Sequence, residues 1–157
     1  MKIFYTDGSA NPNPGPGGYA VISAEQDDRT KEITIYGPVA LGCEKDSTNI
    51  RMEAQALIAA YKIAEANNTI LTDSEFWCNV VKKWAPGWKA NGWKKKTGPI
   101  KNLELVQELY DLYCQKPEVN LEWTRGHVGT EGNEAADVWA NKARTGVTMQ
   151  DVEKGKA

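Results

Sequence analysis

Two short stretches of the chain read alike. Tyr5-Thr6-Asp7-Gly8-Ser9 and Leu71-Thr72-Asp73-Ser74-Glu75 each end an apolar, strand-like run on Thr-Asp and continue into small or polar residues. Ligands of α/β sheets gather at the carboxyl ends of strands, so Asp7 and Asp73 are expected at one such edge. Glu53 precedes Leu57 by four residues and Ala60 by seven, which extends the apolar stripe of a helix with a carboxylate. Asp137 sits one turn from Asn133, Glu134, Ala140 and Asn141, at a polar–apolar boundary. Taken singly, each acid has a structural role open to it, as the cap of a turn or the partner of a lysine. Taken jointly, converging carboxylates repel one another unless cations neutralise them. Oxygen-only donors select hard divalent ions, Mg²⁺ or Mn²⁺. Two such ions about 4 Å apart can activate a water and stabilise the leaving oxygen of a phosphodiester. With one histidine and no close pair among Cys43, Cys78 and Cys114, a zinc site is not expected.

The elements that must position these acids follow from the pattern. Ile3 to Asp7, Tyr19 to Ser23 and Glu32 to Tyr36 read as three strands with short connections, hence an antiparallel meander. Asn49 to Ala66 has helical periodicity, Ile70 to Thr72 is a brief strand, and Ser74 to Lys83 reads as a helix stopped by Pro86-Gly87. Leu103 to Tyr113 is helical, Val119 to Thr124 a strand and Asn133 to Arg144 a last helix. The order predicts a mixed sheet with helices on its faces, an α/β domain over residues 1–146. The polar tail from Val147 to Ala157 is expected to be frayed or disordered.

The 157 residues are 41% hydrophobic and 25% charged, with a formal net charge of −2. Those values exclude a disordered chain and suit one globular domain. No apolar run approaches the roughly 20 residues of a membrane span, and Ile3-Phe4-Tyr5 is too short for a signal-peptide core. The odd, spread cysteines read as reduced thiols, so a cytoplasmic location without membrane contact is expected.

The net charge hides a segregation. From Phe76 to Leu103 there is no acid, yet Lys82, Lys83, Lys89, Lys94, Lys95, Lys96 and Lys101 fall there with Trp77, Trp84, Trp88 and Trp93. Such a strip is either a docking surface for a polyanion, with cations for phosphates and rings for sugars or bases, or a solvated helix face whose tryptophans are core. Trp77, at its start, is expected in the core.

In order and spacing, the motifs resemble ribonuclease H type 1, the bacterial ribonuclease HI group, over roughly Met1 to Gly146. They are Tyr5-Thr6-Asp7-Gly8-Ser9, Asn13-Pro14-Gly15-Pro16-Gly17-Gly18-Tyr19, Thr48-Asn49-Ile50-Arg51-Met52-Glu53 and Thr72-Asp73-Ser74, then Gly92-Trp93-Lys94, Gly126-His127 and Gly132-Asn133-Glu134-Ala135-Ala136-Asp137. The resemblance implies a ribonuclease H-like fold, a mixed five-stranded sheet of three antiparallel strands followed by two parallel ones, with helices on both faces. It implies an endonuclease that hydrolyses the RNA strand of RNA/DNA hybrids by a two-metal-ion mechanism, leaving 5′-phosphate and 3′-hydroxyl ends. The family's metal-binding carboxylates fall on Asp7, Glu53, Asp73 and Asp137, with the Gly8 backbone beside the two Mg²⁺ ions and Mn²⁺ as a substitute. Its loop histidine, which aids proton shuttling or product release, falls on His127, and Glu134 is an auxiliary near the second ion.

The resemblance also implies substrate contacts. Asn13, Asn49 and Glu53 match positions that meet RNA 2′-hydroxyls or the minor groove, the group by which a protein tells RNA from DNA. Thr48 and Asn102 match a pocket for a phosphate of the DNA strand. Trp84, Trp88, Lys89, Trp93 and Lys94 match a basic protrusion that grips that strand, which decides the strip in favour of binding. Ile50 stands where relatives usually carry an amide, and Glu75 where an amide follows the Thr-Asp-Ser. Weaker hybrid binding or a higher Mg²⁺ requirement is therefore expected. A hybrid-binding module without catalysis would have lost the acids, and the length favours a stand-alone enzyme, expected to be a monomer, over a domain of a reverse transcriptase.

Overall fold

The computed structural model describes residues 1–124 and 131–156. Strands β1 (Lys2–Ala10), β2 (Gly15–Gln26) and β3 (Ile33–Ser47) form the expected meander. Helix α1 (Asn49–Ile63) crosses to β4 (Thr69–Thr72), which pairs parallel with β1. Helix α2 (Glu75–Asn79), a π-helical turn (Val80–Trp84) and α3 (Ala85–Ala90) run on without a break. A loop leads to α4 (Leu103–Gln115), then β5 (Asn120–Trp123) parallel to β4, α5 (Glu131–Arg144) and α6 (Met149–Glu153). The sheet order is β3-β2-β1-β4-β5, three antiparallel strands and then two parallel ones, as expected.

Alternation along β1 explains the two-sided core. Phe4 points to the face covered by α1 and α4, where it meets Val21, Leu57, Ile70, Trp77, Val106 and Leu121. Ile3 and Tyr5 point to the other face, against Ala136 and Ala140 of α5, with Ala20, Ile22 and Ala24 of β2. A side chain is impossible at Gly8, where a Cβ would lie 2.2 Å from the backbone carbon of Met52 and 2.3 Å from the nitrogen of Glu53. That glycine lets α1 rest on β1 at the turn that carries Glu53.

Three local expectations are corrected. Pro86 does not stop the helix: it falls in the first turn of α3, just past a widened turn in which the Ala85 N–H already bonds to the Val80 carbonyl. The third strand, expected over Glu32 to Tyr36, runs on to Ser47: it lies at the sheet edge, where Pro38 is tolerated, and a register shift between Val21 and Ile22 absorbs the irregularity. The tail expected to be frayed includes α6, where the Thr148 side chain accepts from Asp151 N–H and the Asp151 carboxylate accepts from Thr148 N–H. Among the described residues no helix is long and apolar enough to cross a membrane.

Candidate active site and nucleic-acid interface

Three of the predicted acids meet at the carboxyl ends of β1 and β4. One oxygen from each of Asp7, Glu53 and Asp73 lies within 4.8 Å of the other two. Short bonds set this convergence. The Thr6 hydroxyl donates to the Leu71 carbonyl at 2.9 Å, tying the two parallel strands together just before their acids. Past Asp73, the Ser74 N–H donates to Thr72 Oγ1 at 3.0 Å, and Ser74 caps α2 by accepting from Trp77 N–H. From β5, the Trp123 indole donates to the Asp73 backbone carbonyl at 3.2 Å. Glu53 lies one turn into α1, whose start is held by the Thr48 cap on Arg51 N–H.

The electrostatics are those of a site built for cations. Asp7 is 8% exposed. Desolvation, followed by the charges of Asp73 and Asp137, pushes its pKa up to about 8, although the Gly8 N–H bonded to Oδ1 at 2.9 Å works the other way. Burial and the Asp73 charge push Glu53 to about 7, against a hydrogen bond from Ser74. Desolvation and neighbouring charge thus work against ionisation of Asp7 and Glu53, and the all-oxygen donor set suits a hard divalent cation. Asp137 stands off from the three: it lies on an exposed side of α5, near enough to raise Asp7 but outside the 4.8 Å cluster. Glu134 is exposed one turn away. His127 lies outside the described residues.

Beside the acids, two amides hold the first loop against α1. The Asn49 N–H donates to Asn13 Oδ1 at 3.1 Å, and Asn49 Oδ1 accepts from Ala10 N–H at 2.6 Å. With both oxygens engaged, the amide NH₂ groups are left as donors, the chemistry a ribose hydroxyl can answer.

The Lys/Trp strip resolves into a groove and an anchor. Trp77 is fully buried, as expected, and its indole donates to the Ile50 carbonyl at 2.8 Å. Residues 76, 80, 84 and 88, spaced by four, share one side of the helical run, and with Ile50 and Ile100 they line a groove of about 500 Å³. Trp84 is 39% exposed, its ring 5.8 Å from Phe76 and 6.0 Å from Trp88. Lys95 Nζ lies 5.9 Å from the Trp88 ring, and Lys101 and Asn102 close the far end. Trp93 has a different part: it packs edge-on against Tyr110 of α4 at 6.2 Å, and Lys89 Nζ lies over the same Tyr110 ring. Lys94 is exposed beside it. Phe76 was missed as a groove residue, although its spacing of four and eight from Val80 and Trp84 carried the signal. Glu75 sits exposed in the first turn of α2, where the free backbone N–H groups favour an acid.

Comparison with known proteins agrees with this geometry. The sequence model of the RNase H family matches residues 1–145. A ribonuclease H of Francisella philomiragia is 45% identical over 148 residues, covering 90% of this chain and 89% of that one. The crystal structure of LC9-RNase H1, a type 1 RNase H with the type 2 active-site motif, superposes with a TM-score of 0.76 at 29% identity, over 94% of this chain and 73% of that one. A foamy viral protease–reverse transcriptase in complex with double-stranded DNA gives a TM-score of 0.79 at 25% identity, over 93% of this chain and 95% of that one. With the acids gathered where a mixed sheet changes from antiparallel to parallel, and a match running from the first residue to the end of α5, the chain belongs to the RNase H family.

Proposed function

We infer that this protein is a ribonuclease H, an endonuclease that hydrolyses the RNA strand of RNA/DNA hybrids and leaves 5′-phosphate and 3′-hydroxyl ends. One observation carries the reading: the oxygens of Asp7, Glu53 and Asp73 converge at a strand-end edge that opens beside an aromatic, lysine-rimmed groove. Mg²⁺ is the proposed ion, with Mn²⁺ as a substitute; Asp7, Glu53 and Asp73 would hold it, and Asp137 would complete the set. Divalent cations bound there supply Lewis acidity and an activated water at a phosphodiester.

The chain's own residues do the rest. Asp7, Glu53 and Asp73 hold positive charge at the edge, and the close seat of α1 on Gly8 keeps Glu53 there. Asn13 and Asn49 offer donors to the ribose of the RNA strand, so that a strand lacking 2′-hydroxyls is not gripped in cleavable register. Phe76, Trp84 and Trp88 lay apolar rings against the sugars of the DNA strand, while Lys89, Lys94 and Lys95 meet its phosphates. Thr48 and Asn102 seat one DNA phosphate at the end of that groove. His127 is assigned proton transfer and product release, and Glu134 an auxiliary part. The three cysteines are free thiols, in keeping with a cytoplasmic setting, and the enzyme is proposed to act as a monomer.

The test is a cleavage assay on labelled RNA/DNA, RNA/RNA and DNA/DNA duplexes with Mg²⁺ or EDTA, run beside Asp73→Asn. RNA-strand cleavage of the hybrid alone, lost with EDTA and in the variant, is the expected result. Hybrid binding without cleavage under any divalent metal would instead leave a binding module.

A further inference from the structure

Asn102 is the N-cap of α4, yet it does not cap. An asparagine at this position ordinarily turns its side-chain oxygen back onto the N–H groups of the first turn. Here Asn102 adopts a left-handed backbone, φ 57°, and makes no side-chain bond to its helix. Its oxygen is held instead by Arg51 of α1, whose Nη1 donates to Asn102 Oδ1 at 3.0 Å. The same nitrogen donates to Glu104 Oε1 at 2.5 Å. A guanidinium only donates, so the bond fixes which end of the carboxamide faces it: oxygen inward, NH₂ outward. Thr48 is set the same way, because its oxygen accepts from Arg51 N–H and its hydroxyl hydrogen is free to point elsewhere. The outcome is two donors tied to one residue: Asn102, which lines the groove next to Lys101, and Thr48, which caps the helix that carries Arg51.

We propose that Arg51 is the positioning residue of this phosphate seat: it withdraws Asn102 from helix capping and presents the carboxamide NH₂ to a phosphate of the DNA strand. The inference deepens, and rests on, the assignment of Thr48 and Asn102 above. Without the guanidinium the Asn102 oxygen returns to the α4 N–H groups, and the seat loses a donor although Asn102 itself is unchanged. Arg51 acts through Asn102 and does not touch the phosphate. Glu104, 65% exposed, balances the guanidinium charge and has no part in orienting the amide.

The test is hybrid binding in EDTA, measured by anisotropy, with a single neutral methylphosphonate walked along the DNA strand. In the wild type one position should cost about tenfold in affinity, the size of one charge-assisted hydrogen bond. Asn102→Ala and Arg51→Gln should each weaken binding of the unmodified hybrid by a similar factor and become indifferent to the methylphosphonate at that position. The double variant should be no weaker than Asn102→Ala alone, and KM should rise with kcat unchanged. Glu104→Gln breaks the ion pair but keeps the Arg51–Asn102 bond, so it should retain full sensitivity to the methylphosphonate. A purely structural ion pair would instead make Glu104→Gln resemble Arg51→Gln, and additive losses in the double variant would mean direct contact by Arg51. Either result overturns the proposal, as does wild-type sensitivity in Arg51→Gln. A wild type indifferent to the methylphosphonate at every position would remove the seat itself. Should Arg51→Gln fail to fold, Arg51→Met, which keeps the apolar stem but has no donor for the Asn102 oxygen, must show the same blunted sensitivity.

Discussion

The indole N–H of Trp77 donates to the backbone carbonyl of Ile50 at 2.8 Å, so a fully buried ring ties the first turn of α1 to the helix that follows Asp73. Glu53 lies three residues beyond Ile50 and Asp73 four before Trp77, which makes this bond a brace between two of the converging acids. Trp77→Phe keeps most of the ring but removes the indole bond to the Ile50 carbonyl, which still accepts within α1. The expected loss is about 0.5–1.5 kcal/mol of stability together with a raised Mg²⁺ requirement for cleavage. Thermal unfolding and a metal titration of hybrid cleavage check the two halves, and an unchanged titration would sever the ring from the site.

A second expectation concerns pH. The Asp7 carboxyl titrates near 3.8 in an open chain and about 8 in the metal-free fold. Below the lower value both states hold the proton and the group is neutral to stability. Between the two, the unfolded chain releases a proton that the fold retains, so stability falls as pH rises, and the whole penalty stands above the upper value. Asp7→Asn should therefore unfold at a higher temperature than the wild type, by a margin that grows from acid to about pH 9 and amounts to some 2–4 °C per kcal/mol. Saturating Mg²⁺ should erase or reverse the margin, and cleavage should be abolished throughout. A margin that shrinks with rising pH would contradict the electrostatics described for this acid.

Gly8→Ala is expected to be severe. The new methyl would meet the backbone of Met52 and Glu53 rather than a yielding side chain. Overpacking of this kind costs about 1–3 kcal/mol or more, and relief requires α1 to lift off β1, carrying Glu53 away from Asp7. Gly87→Ala supplies the contrast, since a Cβ there meets nothing within 4 Å and the residue lies within α3. It should stabilise by about 0.5–1 kcal/mol, the helix preference of alanine over glycine. Denaturant midpoints for the two variants should move in opposite directions.

Glu75 should raise the metal requirement. It is exposed in the first turn of α2, two residues past Asp73. Glu75→Gln is expected to lower the half-saturating Mg²⁺ concentration for cleavage and to tighten hybrid binding about two- to threefold, the size of a screened surface charge. Salt should narrow the difference between the two proteins. A titration in which both quantities stay unchanged would remove Glu75 from the electrostatics of the site.

How much of this was legible beforehand varied with the physics of each element. Asp7 and Asp73 could be placed at strand ends because Thr-Asp closes two β-patterned runs, and Glu53 because a carboxylate broke an apolar stripe at the right helical phase. The sheet's order came from the resemblance, since periodicity alone does not say which strand pairs with which. The end of the third strand and the stop at Pro86-Gly87 were misjudged for a common reason: both depend on tertiary setting, a sheet edge in one case and a π-helical turn in the other, neither of which local composition records. The Thr148–Asp151 box was readable but was passed over in a polar tail. Phe76 was readable too, by its spacing on the groove side. The hold of Arg51 on Asn102 was not, because it joins residues 51 apart through a backbone conformation the sequence does not announce.

Six consecutive residues, Thr48 to Glu53, contribute the proposed DNA-phosphate donor, an RNA-sugar amide, a groove wall, the Asn102 support and a carboxylate of the acid cluster. Because a helix advances about 1.5 Å per residue and is stiff over one turn, these contacts form a calliper of fixed opening. On the proposed contacts, the protein would measure the span between two backbones across a minor groove before any base is consulted. Duplexes would then be sorted by width, and a lesion or modification that alters groove width should disturb cutting even where every contacted atom is intact.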